Sequence, residues 1–246
     1  MTRKRQRRFF PLLAAVLAAA VLAGCGSAAS GQSGASVAQS APAATPEPTP
    51  TPNPGLSWPY VVEDGNLQVD SLFQYSGINP DCDGEMGDDI AALQVTNLSD
   101  RFVERAELTA TLLDGTGLNF VITNVPAGQT VLAFAVDNAA YPDMTVLCDT
   151  VTCSAVYGDA APVMADTIAV DVQETTVTLT NTGSTDLTNL AVGCHCLFDG
   201  AYFGGVTYNY AVDCITAGSS VTIQADDCYL GQADVVCIQS DPARLR

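Results

Sequence analysis

"LQVTNLSD" (residues 93–100) returns as "VTLTNTGS" (177–184), and this repetition decides how the chain folds. On the approach to the shared asparagines, Asn97 and Asn181, apolar and polar residues alternate. Leu93 and Val95 point one way in the first copy, as Val177 and Leu179 do in the second. A period of two is the mark of a β-strand with one buried face. Working outward, "LLDG" (112–115) returns as "LFDG" (197–200), and "VPAGQTV" (125–131) as "ITAGSSV" (215–221). "TVLC" (145–148) matches "VVCI" (235–238), and the leading strand "VDSLFQYSG" (69–77) matches "VTCSAVYG" (151–158). The offset is close to 84 residues at the shared asparagines and 90 at the "AG" turns. Two copies of one β-unit explain this spacing better than one large barrel.

From Trp58 onward the chain is short runs of Val, Thr, Leu, Tyr and Ile separated by Gly, Asn and Asp, with no sustained helical period. The expected fold class is all-β: two tandem Ig-like antiparallel β-sandwiches, residues 58–149 and 150–246. Alternation places Leu118, Phe120 and Ile122 inside the first copy. In "VTYNYAVDC" (206–214) it places Val206, Tyr208, Tyr210, Val212 and Cys214 inside, with Thr207, Asn209 and Asp213 facing solvent.

The order "V-x-N", a strand closing in "DG", and a "P-A-G" turn before an apolar strand resembles bacterial extracellular Ig-like repeats. The modules nearest in pattern are the FxLYD and CARDB types of surface lipoproteins. The resemblance covers residues 60–240 and implies a binding, spacing or assembly module.

Location is read from the amino terminus. "MTRKRQRR" carries five basic residues, and the apolar run "FFPLLAAVLAAAVLAG" leads to Cys25. A charged start, a short apolar stretch and small residues before the cut describe an export signal, here residues 1–24. Leu22-Ala23-Gly24-Cys25 resembles the lipobox of bacterial lipoproteins. That implies a lipid anchor at Cys25 and a place at the cell membrane, on its extracytoplasmic face. Residues 25–57 read as a disordered linker, Gly/Ser-rich and then Pro/Thr-rich. Proline at every other position from Pro46 to Pro54 favours extended polyproline II.

Loss of the signal leaves Arg101, Arg105, Arg244 and Arg246 against 27 acidic residues, a net charge of −23, with no lysine. A polyanion is repelled by phosphate backbones, so nucleic acid is excluded as a partner and a soluble monomer is expected. The expected partners are the membrane, through Cys25, and an envelope protein or glycan.

The remaining eight cysteines are Cys82, Cys148, Cys153, Cys194, Cys196, Cys214, Cys228 and Cys237. An even number in an exported chain reads as a disulfide framework. A boundary near 149 assigns two to the first copy and six to the second. "CHC" (194–196) surrounds the only histidine in the chain. On a strand Cys194 and Cys196 share the core face and His195 points outward, replaceable by Thr at little cost. Residues i and i+2 are poorly placed to bridge one another, so each cysteine is expected to reach a different strand.

Two other stretches suggest ligands. "DCDGEMGDD" (81–89) gathers Asp81, Asp83, Glu85, Asp88 and Asp89 in one loop, a solvated surface or, alternatively, a calcium site for adhesion or substrate capture. Tyr202 and Phe203, on the "DGAYFGG" hairpin, are candidate sugar-stacking residues. No cofactor is expected beyond calcium. With one histidine, and with Asp226 and Asp227 on opposite faces of a strand, no catalytic pair is expected and the chain does not read as an enzyme.

Overall fold

The computed structural model describes residues 54–62, 65–141, 143–159, 161–228 and 230–240. The expected signal peptide, Cys25 and most of the expected linker therefore lie outside the described residues. All of the described residues belong to one compact unit, Pro50–Arg246.

They form fourteen strands and two single 3-10 turns, with no α-helix among them. The strands are β1 (Tyr60–Val61), β2 (Leu67–Asn79), β3 (Glu85–Asn97), β4 (Phe102–Leu112), β5 (Gly117–Val125), β6 (Thr130–Phe134) and β7 (Cys148–Gly158). The second half adds β8 (Ile168–Gln173), β9 (Thr176–Asn181), β10 (Leu187–Phe198), β11 (Ala201–Phe203), β12 (Tyr208–Ile215), β13 (Ser220–Gln224) and β14 (Gln232–Gln239). The all-β sandwich class is as expected.

The repeat is visible strand by strand. In the first copy β2-β3-β6 faces β5-β4-β7; in the second β8-β9-β13 faces β12-β10-β14. Both copies are pinched by their shared asparagine. Asn97 is fully buried and its Nδ2 donates to the carbonyls of Arg101, Val125 and Pro126. Asn181, equally buried, donates to Thr185 and Ile215. Each side-chain oxygen accepts the N–H two residues on, from Ser99 and Gly183. A buried amide must satisfy its donors and acceptor, and here it does so by tying the strand end to the "AG" turn.

The pairing corrects the expected boundary. Residues 151–158 were expected to open the second sandwich, but they belong to β7, which pairs with β4 along its length and closes the first. The counterpart of β2 is β8, and the first sandwich ends at Gly158. Three cysteines, Cys82, Cys148 and Cys153, then fall in the first copy and five in the second, in place of two and six. The folded part also starts earlier than residue 58: Leu56 N–H donates to Cys148 O at 2.7 Å and its side chain packs on the first core.

The copies share a sheet. β11 pairs in parallel with β6, joining β1-β2-β3-β6 to β11-β10-β12 and β14 in one eight-stranded sheet. The three-stranded sheet β5-β4-β7 packs on one face, the three-stranded sheet β13-β9-β8 on the other. The first core includes Leu93, Val95, Phe120, Tyr202 and Val236; the second includes Ile90, Phe134, Val177, Leu190 and Cys194. Residues of each copy thus complete the core of the other. Ile90 to Leu93 on β3 and Leu190 to Cys196 on β10 are buried without interruption. Such runs mark strands covered on both faces.

Face assignments hold where one sandwich decides them: Leu93, Val95, Val177, Leu179, Leu118, Phe120 and Ile122 are all buried. Along β12 they hold only in part. Val212 is buried and Tyr208 and Tyr210 half-buried, but Val206 and Cys214 are exposed and Thr207 is buried. Residues 204–207 break the strand before β12, so the alternation does not run through them. Thr207 instead turns against β5, where its hydroxyl meets Asn124 and Thr123.

Candidate functional site

The chemistry-bearing side chains gather where the copies meet. Asp81 lies in the 3-10 turn Pro80–Cys82, which is capped by Asn79 accepting the Asp81 N–H. The residue keeps some exposure, but its carboxylate is turned inward. Oδ2 accepts the N–H of Phe134 at 2.9 Å and of Gly205 at 2.8 Å, and Oδ1 accepts that of Val206 at 3.0 Å. One side chain therefore clasps β6 of the first copy and the 204–206 segment of the second. Burial pushes its carboxyl up to about 6, against the three N–H donors that favour the charged form. Gly204 reaches its place at φ 105°, a backbone region open to glycine.

Beside this clasp is a cleft of about 200 Å³, walled by Val121, Phe134, Val136 and Val206, with Cys82 and Asp137 at its edge. It is smaller than the roughly 300–1,000 Å³ of typical small-molecule sites.

The five acidic residues expected in one loop are not brought together. Asp83 ends the 3-10 turn in a left-handed conformation, and β3 begins at Glu85. Hairpin pairing of Glu85 with Asn79 and Gly87 with Gly77 draws the stretch out as a strand, which bulges at Asp88 and Asp89, the latter in a left-handed conformation. Among the described residues no group of three or more His, Cys, Asp or Glu side chains is arranged to hold a metal ion.

Tyr202 and Phe203 do not form an exposed platform. They are 1% and 9% exposed, because β11 is the strand that fuses the sheet. Phe203 packs edge-on to Phe134, with ring centroids 5.2 Å apart, and to Tyr75. The Tyr202 hydroxyl donates to Asp234 Oδ2 at 2.6 Å.

His195 also departs from its expected place. It points away from the second core, as alternation requires, but that face is covered by β5, and the residue is 1% exposed. Its ring stacks on Tyr202 and its Nε2 lies 2.7 Å from Thr123 O. A carbonyl can only accept, so Nε2 carries the proton. Burial holds the imidazole down at about 4, a neutral donor with no free valence at Nε2 for base chemistry.

No disulfide joins any two of the eight cysteines in this structure. Cys194 and Cys196 face the second core as expected. Cys228, buried in the turn after β13, joins them in that core, its thiol 3.6 Å from the carbonyl of His195. Cys237 lies on the other face, its sulfur over Gly193. Cys214 is exposed on β12, while Cys148 and Cys153 sit on β7.

The roles of Asp81 and Asp234 carry no motif. One sequence signal does point to the seam: the offset between copies grows from 84 at Asn97/Asn181 to 90 at Val125/Ile215. Five of the six additional residues fall after the "DG" turns, where the offset is 85, in the stretch that holds β11 and the break after it. No protein-family model matches the chain, and no curated protein matches it.

Proposed function

We propose that this chain is a membrane-anchored extracytoplasmic lipoprotein whose two fused sandwiches serve as a rigid, non-catalytic module for binding, adhesion or spacing. The observation that carries the reading is the use made of the reactive side chains at the seam. The only histidine is spent on Thr123 O and Tyr202, and the Asp81 carboxylate on three backbone N–H groups. Groups so engaged hold strands together: the Nε2 proton of His195 is given to a backbone carbonyl, and both oxygens of Asp81 accept backbone N–H groups. A sheet shared by both copies gives stiffness, which suits a body held away from a surface on a proline-rich tether. The Leu22-Ala23-Gly24-Cys25 stretch supports the anchor, and the acidic surface, with four arginines and no lysine outside the leader, supports solubility over association with polyanions.

The test is a Cys25→Ser variant in a detergent-partition assay. The unaltered chain should enter the detergent phase, and the variant should stall in processing or move to the aqueous phase. Equal partition of both would sink the anchor. Capture of a defined envelope protein or glycan by the unaltered chain, kept by the Asp83→Asn/Asp88→Asn double variant, would support binding without calcium.

A further inference from the structure

We propose that Cys196 and Cys228 are partners in one disulfide that locks the turn after β13 onto the central strand β10. Cys196 is on β10, facing the second core; Cys228 is 32 positions further on, in the turn between β13 and β14. Both are buried, 2% and 0% exposed. The Cys228 thiol lies 3.6 Å from the carbonyl of His195, the residue next to Cys196 on β10, and the two thiols are near enough to shift one another's acidity.

The turn is held in place from several sides. Ala225 N–H donates to Thr175 O at 2.8 Å, Cys228 N–H to Ala225 O at 3.0 Å, and Ala233 N–H to Glu174 O at 2.8 Å. Gly231 lies so close to β10 that a Cβ there would stand 2.3 Å from Leu197 O and 3.2 Å from the Cys196 sulfur. The turn therefore holds Cys228 beside Cys196, with the backbone fixed on both sides of the pair.

The alternatives are placed less well. Cys194 shares the core face with Cys196, but residues i and i+2 on a strand present parallel side chains. Cys237 projects to the opposite face of the sheet. The pair is also chemically graded. Cys196 is the more acidic thiol, favoured as thiolate by the Cys228 S–H and the N–H groups of Leu230 and Gly231, while Cys228 is pushed up by the same contact and by burial. The thiolate is the nucleophile in exchange.

The bond forms by exchange with a small-molecule or protein disulfide. The Cys196 thiolate attacks one sulfur of the donor and expels a thiolate, which takes up the proton that Cys196 gave up. Cys228, deprotonated in turn, attacks Cys196 and expels the second thiol. The protein gives up two protons and two electrons, and the donor disulfide is reduced to two thiols. The pairing is set by the folded chain and does not depend on where the protein resides.

The experiment uses the full chain in detergent, reduced and denatured, then refolded in a mixture of oxidised and reduced glutathione. Remaining thiols are alkylated, and the chain is cut with pepsin at low pH, where exchange is suppressed. Fragmentation of the linked peptides should join Cys196 to Cys228 and find Cys194 alkylated. Cys194→Ser should keep the link, and Cys228→Ser should leave Cys196 alkylated. If a variant does not fold, fragmentation of the unaltered chain decides alone. Cys196 and Cys228 both recovered alkylated, or either joined to another cysteine, would overturn the proposal.

Discussion

The ring of His195 lies flat against that of Tyr202, with centroids 4.3 Å apart and planes 7° from parallel. The two residues come from neighbouring strands of a hairpin, β10 and β11, and the same pair seals β5 onto the shared sheet through Thr123. His195→Thr removes the stack and the bond to Thr123 O, and leaves a void in a buried site. We expect a loss of about 2–4 kcal/mol in urea unfolding. A loss below roughly half a kcal/mol, as at an exposed position, would show that the seam does not depend on the ring.

His195 and Asp81 should give opposite slopes of stability with pH. The folded-state value of His195 is depressed to about 4, so its contribution is complete above the ordinary value of about 6.5 and fades as pH falls toward 4. That of Asp81 is raised to about 6, so its contribution is complete below the ordinary carboxyl range and fades as pH rises through 6. Each is worth at most about 1.4 kcal/mol per pH unit, and between pH 4 and 6 the two largely cancel. Asp81→Asn should therefore make stability rise more steeply with pH in that window than in the unaltered protein. His195→Thr should make it rise less steeply, or fall. Parallel curves for all three proteins would refute both assignments.

Asn97 and Asn181 play one role in two places, so Asn97→Ala and Asn181→Ala should cost alike. Each leaves buried backbone carbonyls without their donor, and we expect about 2–4 kcal/mol for either. Because the copies share a sheet and complete one another's cores, each variant should shift a single transition of the whole body. Two separate melts, one per copy and each moved only by its own asparagine, would contradict the shared core.

Gly205 sits in the seam where a Cβ would stand 2.2 Å from Val121 O and 2.9 Å from Ala133 Cβ. Its N–H serves Asp81 and its carbonyl accepts from Thr123 N. Gly205→Ala must push β5 away from β6, and we expect a cost of about 1–3 kcal/mol by thermal melting. Gly200→Ala, in the open hairpin turn with nothing near its Cβ, does not disturb the seam and serves as the comparison, its cost limited to strain at φ 82°.

The class of fold was legible because each strand with one solvent face announces itself by a period of two, as at 93–96 and 177–180. Where both faces are covered the period disappears, and "IAAL" (90–93) and "LAVGCHC" (190–196) are the places where it does. Reading "CHC" as an alternating strand put the two sulfurs on the right face and misjudged the histidine between them. The outward face of β10 is outward only if the second copy stands alone.

The sequence by itself determined the all-β class and the repeat, because alternation and turn residues are local signals. It also determined the apolar face of each singly covered strand. Only the tertiary structure decided the place of β7 in the first copy, the asparagine pins, the burial of His195, Tyr202 and Phe203, the clasp at Asp81 and the nearness of Cys228 to Cys196. These depend on which segments meet across about 30 to 125 residues of chain. Local alternation shows that a face is apolar or polar; which neighbour covers it is set by the packing of distant strands.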